Sequence, residues 1–403
     1  MSPITRSLLE IDLYKLTMQQ CMLHELPRNT ARYEFACRNT PRLPLSEIAR
    51  EVNEELDALC DLRFRREELE YLKEVRFLKP DYIEFLRLFQ LNREFIQARA
   101  VGDQLEIVAE GPQVHVMPFE LYVLPIVQGI YQRRVAPPDA MSRMKQQLDG
   151  VITRALDRLS RLKDAFPNAR PFEFLDFGLR RRFSADWHDE MMTMLRERMP
   201  QYLRGTSNVH MARTMSLTPA GTLGHEFLQT MQAMPGVQLR QSIVAANELW
   251  NKEYRGDLGI ALTDVVTTDA FLRDFDLLAA KCFDGLRQDS GAPLVWAKKV
   301  DARYRELRID PSTKRKVFSD GLSLDTTALD LYEELSCRQG QWTGFGIGTS
   351  LSNPSPVGAL NIVMKLTTCN GLPTAKISDA PGKTMCRDQG FVTYLKQVFD
   401  VKE

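Results

Sequence analysis

The chain reads as an α/β protein, with a portion built on parallel strands preceded by an α+β portion that contains antiparallel strands. Two observations predict this. Beyond residue 170, short apolar segments end in polar or glycine-rich turns and are each followed by a helical pattern, at 172–177, 219–222, 259–263, 283–287, 316–319 and 343–347. That rhythm calls for parallel strands with crossover helices, closed as a barrel or open as a doubly wound sheet. Ahead of it, residues 94–100 and 104–109 flank Val101-Gly102-Asp103 as a hairpin, so those strands are antiparallel. A length of 403 residues allows two or three domains, or one large barrel with an appendage.

In chain order, Leu13, Leu16, Leu23 and Leu26 mark an amphipathic helix over 10–26, with Asp12 at its N-cap and Tyr14 in its first turn. From Ala31 to Arg38, Tyr33, Phe35 and Cys37 alternate with Arg32, Glu34 and Arg38, the period of a half-buried strand. Ile48, Val52, Leu56 and Leu59 recur at helical spacing over 46–59, and shorter helical patterns follow at 66–75 and 81–89. Gln113 to Met117 is expected to add a third strand beside the hairpin. Helical patterns then run over 119–133 and 141–165, the latter charged on one face and apolar on the other. Near the end, 362–368 and 373–377 flank Cys369-Asn370-Gly371-Leu372 as a hairpin-like element returning towards the first portion.

Composition narrows the function classes. Lys plus Arg equals Asp plus Glu at 53 each, so no global field draws the protein to nucleic acid or an anionic membrane, and any anion site must be local. Seven cysteines, at 21, 37, 60, 282, 337, 369 and 386, lack the paired spacing of a zinc or redox site and read as reduced structural thiols. No signal-like N-terminus and no 18-residue apolar run is found, so the expected location is cytoplasmic.

In α/β folds chemistry collects at the strand C-termini, and the chemistry-bearing residues fall there. The stretch from Gly205 to Gln229 is the candidate catalytic centre. His225 follows glycines and Thr222 at a loop-to-helix junction, where an imidazole can be a base, a metal ligand or a phosphorylatable nucleophile. Gly344, Gly346 and Gly348, followed by Thr349 and Ser350, offer backbone N–H groups to a phosphate or form a tight turn. Asp289 and Asp320, each near a glycine, offer carboxylates for ribose hydroxyls or Mg²⁺, or act as turn caps. Arg180, Arg181 and Arg182 form a dense basic cluster of which one faces inward, and Arg287 beside Asp289 is a second cation for carboxylate or pyrophosphate. Phe177 and Tyr14 can stack on a planar ring or pack in the core.

Together these blocks resemble a known family. DLYKLTM at 12–18, YEF at 33–35 with Arg38, DFGLRR at 176–181, GTSNV at 205–209, GTLGHEF at 221–227, LTD and TTDAF within 262–271, RQDSG at 287–291, FSDGLSLD at 318–325, GFGIGTSL at 344–351 and KISDAPGKTMC at 376–386 span nearly the whole chain in order. They are similar to those of nicotinate phosphoribosyltransferases.

The resemblance implies an irregular α/β barrel of the type II phosphoribosyltransferase kind packed against an N-terminal α+β portion. The implied division is 1–120 for that portion, completed by the 360–380 hairpin and the C-terminal helix. A helical connection over 121–170, the barrel with its catalytic and phosphoribosyl-binding loops over 171–359, and a C-terminal hairpin and helix over 360–403 follow. It implies condensation of nicotinate with phosphoribosyl pyrophosphate, coupled to ATP hydrolysis through phosphorylated His225 and accompanied by Mg²⁺ on ligands the sequence leaves unassigned. His225, Arg287 and Asp289 would be catalytic. Tyr14 and Phe177 would sandwich the ring, with Tyr14 supplied by the other subunit of a homodimer, while Thr222 and Arg287 hold the carboxylate. Arg180, Asp289, Ser319, Asp320, Gly348 and Thr349 would bind the phosphoribosyl and phosphate groups.

Ser207 bears on which ring is bound. The related nicotinamide enzymes carry an aspartate there, which would repel a carboxylate by roughly 1 to 4 kcal/mol, so the serine favours the acid. Two positions depart from the family pattern. Ala292 replaces a second carboxylate of DSGDP, and an acidic position after GTSL is missing within Ser352-Asn353-Pro354. The alternatives are a nicotinamide-using relative and a catalytically weakened pyridine-nucleotide-binding protein.

Overall fold

A computed structural model describes residues 3–380, 384, 386 and 387–401. Positions 381–383 and 385 of the KISDAPGKTMC block lie outside the described residues. Among the described residues the strands are β1 Thr30–Cys37, β2 Ile96–Val101, β3 Gln104–Pro112, β4 Phe174–Asp176, β5 Leu203–Thr206, β6 Thr218–Pro219, β7 Ile260–Leu262, β8 Gly285–Gln288, β9 Arg315–Phe318, β10 Trp342–Ile347, β11 Ile362–Cys369 and β12 Leu372–Pro373. They form two sheets. One is antiparallel, in the order β12-β11-β1-β3-β2, and the other is parallel, in the order β6-β5-β4-β10-β9-β8-β7.

The parallel sheet leaves β6 and β7 as its two edges. Just past β6, the Thr222 hydroxyl donates to the Ile260 carbonyl of β7 at 3.1 Å. A side chain therefore bridges the edges where a ladder would close a regular barrel, and the sheet is curled and irregular. The sequence rhythm gave six parallel strands; the seventh, β5, is the short Leu203-Arg204-Gly205-Thr206 segment. Gly205 is required within it, because a Cβ there would lie 2.1 Å from the Thr218 carbonyl oxygen of β6.

The C-terminal hairpin does return to the first sheet, with β11 pairing antiparallel to β1 from Ala31 opposite Cys369 to Cys37 opposite Ile362. The expected third strand at 113–117 is instead a helical turn, Gln113–Val116. Gln113, Val114 and Val116 are all buried, and a short apolar run buried on every side carries no periodicity to separate strand from helix. It leads into the helix Phe119–Val135, whose residues from Phe119 to Gln132 are all buried. The span Gln113–Val135 is long and apolar enough to cross a membrane, contrary to the expectation that no such run exists, but 94% of its apolar window is buried inside the protein. It is a core helix packed on Ala49–Cys60 and β11, and it is apolar over most of its surface because it is covered all round. By contrast Ala140–Ala165 buries a single stripe, Ala140, Met144, Leu148, Ile152, Ala155, Leu159 and Leu162, as its pattern predicts.

Candidate active site

The C-terminal ends of the parallel strands, the start of the helix Leu13–Glu25, and β11 together enclose a cavity of ≈ 800 Å³. Tyr14, Phe177, Arg180, Ser207, His225, Arg287, Asp289, Ser319, Asp320, Gly348 and Thr349 all line it. Of the residues to which the resemblance gives a role in the site, Thr222 alone does not. Its hydroxyl proton is used in the β6–β7 bridge and its carbonyl accepts from Thr17 Oγ1 at 2.7 Å, so its side chain serves the barrel seam.

Close packing holds the aromatic walls. A Cβ on Gly346 would lie 2.3 Å from the Phe177 ring, and one on Gly224 would lie 3.0 Å from Tyr14 Cε2. Tyr14 lines the cavity of its own chain. The glycine run also differs from expectation. Gly344 and Gly346 lie within β10, paired with β9 and β4, and only Gly348 of the three lines the cavity.

His225 begins the helix His225–Thr230 and is 9% exposed. Its Nε2 lies 2.8 Å from Asp264 Oδ1 and 3.9 Å from Asp289 Oδ2. Burial and the nearby Lys376 push its pKa down to about 4, against the opposing pull of Asp264, so the ring is neutral near pH 7. Asp264 is more fully occupied. Its Oδ2 also accepts from Lys376 Nζ at 2.8 Å and Ser290 Oγ at 2.5 Å, and although burial alone would raise it, His225 and Lys376 hold it well below the usual range. An ionised Asp264 accepting from Nε2 leaves Nδ1 as the unprotonated ring nitrogen. The backbone N–H of Gly224 donates to Met18 Sδ at 3.2 Å and is not presented to an anion.

Two of the three arginines line the cavity, one more than expected. Arg180 is 45% accessible yet lies within the cavity, and Arg181 lines the cavity while donating to Asn361 Oδ1 and the Ile362 carbonyl. Arg182 is buried in an ion pair with Glu10. Arg287 lines the cavity, and its buried Nε has no hydrogen-bond partner among the described residues. Asp289, despite its burial, is held low by Arg287, then His225 and Lys376, and its Oδ1 accepts from Ser319 Oγ at 2.8 Å.

Ser207 donates its hydroxyl to Asp12 Oδ1 at 2.6 Å. Asp12 stands at the helix N-cap, but its side chain is turned to Ser207 and caps nothing, and burial raises its pKa. The Ser207 proton is thus spent, and a carboxylate group still lines this wall one residue pair away. Any preference for an acid must come from the cations that line the cavity.

Sequence reasoning did not assign Asp12, Glu120, Asp264, Lys365 or Lys376 to the site. Lys365 lines the cavity from β11 and is pushed down to about 8 by burial, with Glu120 opposing. A lone lysine in Ile362-Val363-Met364-Lys365-Leu366 and a lone glutamate in Pro118-Phe119-Glu120-Leu121 were available signals, since isolated charges in apolar runs are rarely buried without a task. Both family departures fall outside the cavity lining. Ala292 occupies the N-cap of the helix Pro293–Glu306 without a side-chain cap bond, and Asn353 is buried and donates to the Arg181 carbonyl at 2.9 Å.

For a metal, His225, Asp264 and Asp289 bring ligand atoms within 4.8 Å of one another. Asp264 already accepts from His225, Lys376 and Ser290, and Mg²⁺ takes oxygen ligands, so Asp289 is the carboxylate of this group left for it.

A cavity at the strand ends with six lining cations and a buried His–Asp pair defines an α/β enzyme of anionic substrates. The nicotinate phosphoribosyltransferase (NAPRTase) family model matches residues 172–403, and the model of its N-terminal domain matches residues 9–128. A nicotinate phosphoribosyltransferase of Herminiimonas arsenicoxydans is 53% identical over 99% of this chain and 98% of its own, and one of Chromobacterium violaceum is 50% identical over 99% and 98%. The crystal structure of nicotinate phosphoribosyltransferase from Vibrio cholerae superposes with a TM-score of 0.90 at 35% identity, covering 100% of this chain and 95% of that one. The chain belongs to the nicotinate phosphoribosyltransferase family.

Proposed function

We propose that the protein condenses nicotinate with phosphoribosyl pyrophosphate to give nicotinate mononucleotide and pyrophosphate, coupled to ATP hydrolysis through phosphorylated His225, as the first step of NAD salvage from nicotinate. The observation that carries the reading is the meeting in one cavity of two aromatic walls, the cations Arg180 and Arg287, and a neutral buried histidine. Tyr14 and Phe177 flank the pyridine ring, and Arg287 meets its carboxylate. The ring nitrogen attacks C1 of the ribose, the C1–O bond to pyrophosphate breaks, and its electron pair leaves with pyrophosphate. Asp289 lies on the side where positive charge develops, while Arg180, Lys365 and Lys376 meet the growing anion. Ser319, Asp320, Gly348 and Thr349 complete the phosphoribosyl cradle.

In the coupling step, His225 Nδ1 takes the γ-phosphoryl group of ATP and ADP departs; water later cleaves the N–P bond to give phosphate. Asp264 keeps the proton on Nε2 and orients the ring. Mg²⁺, when bound at Asp289 and Asp320, would neutralise pyrophosphate oxygens. A single chain supplies every lining residue named, so the reading works for a monomer or a homodimer. The division at 120, 170 and 359 is supported by membership of the two sheets, with the 360–380 hairpin assigned to the first portion. The seven cysteines are free, in keeping with a cytoplasmic setting.

One observation favours nicotinamide as the second reading: the Asp12–Ser207 pair offers acceptors for a carboxamide. The test of the coupling is transfer of labelled γ-phosphate from ATP to the protein. Alkali-stable label on the wild type and none on His225→Gln is expected; equal label on both would overturn the phosphohistidine.

A further inference from the structure

Beside the cavity lies a charge cluster anchored on a buried lysine that the reaction does not touch. Lys15 is fully buried, and its Nζ sits 2.8 Å from Glu120 Oε2 and 2.7 Å from Glu226 Oε1. Glu120 comes from the core helix Phe119–Val135, and its other oxygen lies 3.7 Å from Arg180 Nη1, beyond hydrogen-bond reach. Lys15 does not line the cavity, whereas Glu120, Glu226, Arg180 and Lys365 do. A single carboxylate is therefore shared unequally, with direct bonding to a buried lysine on one side and a loose contact to a cavity arginine on the other.

We propose that Lys15 is a positioning residue that occupies Glu120 and so keeps Arg180 available to the pyrophosphate-bearing substrate. A guanidinium prefers a bidentate pair with a carboxylate, and Glu120 lies close enough to form one after a small movement. Lys15 holds Oε2 and turns the carboxylate away from that geometry. Without its charge Glu120 has Arg180 as its nearest cation, the pair closes, and the guanidinium is neutralised and withdrawn from the ligand. Glu226 meanwhile loses its only hydrogen-bonded cation among the described residues, which leaves two carboxylates facing each other and strengthens the pull on Arg180. The chain of effects begins one residue after Tyr14 and ends at Arg180.

This rests on the proposed role of Arg180 in holding phosphate, and direct binding separates the two. Calorimetric titration of the purified protein with pyrophosphate in Mg²⁺ is the readout, with nicotinate binding as the companion. Lys15→Met raises the Kd for pyrophosphate about tenfold, the scale of one charge-assisted contact, and leaves that for nicotinate within about twofold. Lys15→Met combined with Glu120→Gln restores pyrophosphate binding most of the way, because the competing carboxylate is gone, and Lys15→Arg behaves as the wild type. A merely structural role would make the double variant no better than the single one. Unchanged binding by Lys15→Met, or a double variant that binds no better, overturns the proposal.

Should Lys15→Met fail to fold, Glu120→Gln alone decides. It binds pyrophosphate about threefold more tightly than the wild type if Glu120 competes for Arg180, and equal or weaker binding refutes the competition. A wild type that shows these shifts yet forms no nucleotide from nicotinate leaves the inference standing and removes the reading of function. Nicotinate turnover with no shift does the reverse.

Discussion

Gly346→Ala tests the aromatic wall by a single methyl group. The added Cβ would sit 2.3 Å from both Cδ2 and Cε2 of Phe177 and 3.1 Å from its Cγ, whereas carbon atoms rest at about 3.5 to 4.0 Å. The backbone cannot retreat easily, because the Phe177 N–H donates to the Ile347 carbonyl at 2.8 Å and Gly346 is paired with Leu175 in β4. The ring must therefore swing by more than about 1 Å, into the cavity. Overpacking of this kind costs about 1 to 3 kcal/mol. If half of it falls on the ring slot, about 1 kcal/mol, the KM for nicotinate rises about fivefold, while that for phosphoribosyl pyrophosphate stays within about twofold. Steady-state pyrophosphate release read at varied nicotinate, with thermal unfolding in parallel, measures both parts. A folded variant whose nicotinate KM is unchanged would refute Phe177 as a wall of the ring slot. Gly224→Ala, with 3.0 Å to Tyr14, should show the same effect more weakly.

Three further outcomes follow from the same contacts. His225 has a pKa of about 4 in the folded chain and an ordinary value of 6.5 when unfolded, so the unfolded state binds more protons between those values and stability falls as pH drops through that window. Glu226, raised by burial, acts with the opposite sign, so urea midpoints of the wild type and His225→Gln compared from pH 7 to 4 isolate the histidine, and parallel curves would contradict the shift. Ala292→Asp restores a cap to the helix Pro293–Glu306 and should stabilise by about 1 kcal/mol with turnover unchanged; a change in the KM for the phosphoribosyl donor would put position 292 in the site after all. Thr222→Val breaks the β6–β7 bridge, costing about 1 kcal/mol of stability by denaturant titration, with the nicotinate KM unmoved.

The parallel sheet was legible because each strand ends in a chemically marked turn, and the cavity was legible because those turns carry Phe177, Arg180, Arg287 and Asp289. What the sequence hid is governed by pairing across long separations. Nothing near Ser207 signals that its hydroxyl belongs to Asp12, 195 residues away. The Thr222 hydroxyl is likewise claimed by Ile260, a contact that exists only once the sheet has curled. Gly344 and Gly346 resemble a phosphate loop in sequence, but β10 uses their backbone in its ladders and Gly346 gives its missing side chain to Phe177. Lys365 and Lys376 reach the cavity only because the hairpin returns to β1, which the sequence indicated without revealing which side chains it would deliver.

The most direct measurement of the central claim is pyrophosphate release by the purified protein with phosphoribosyl pyrophosphate and Mg²⁺, supplied with nicotinate or nicotinamide, each with and without ATP. Release with nicotinate that ATP increases is the predicted result. Release with nicotinamide alone would show that the Asp12–Ser207 pair selects the ring, and no release with either would contradict the assignment of this cavity to phosphoribosyl transfer.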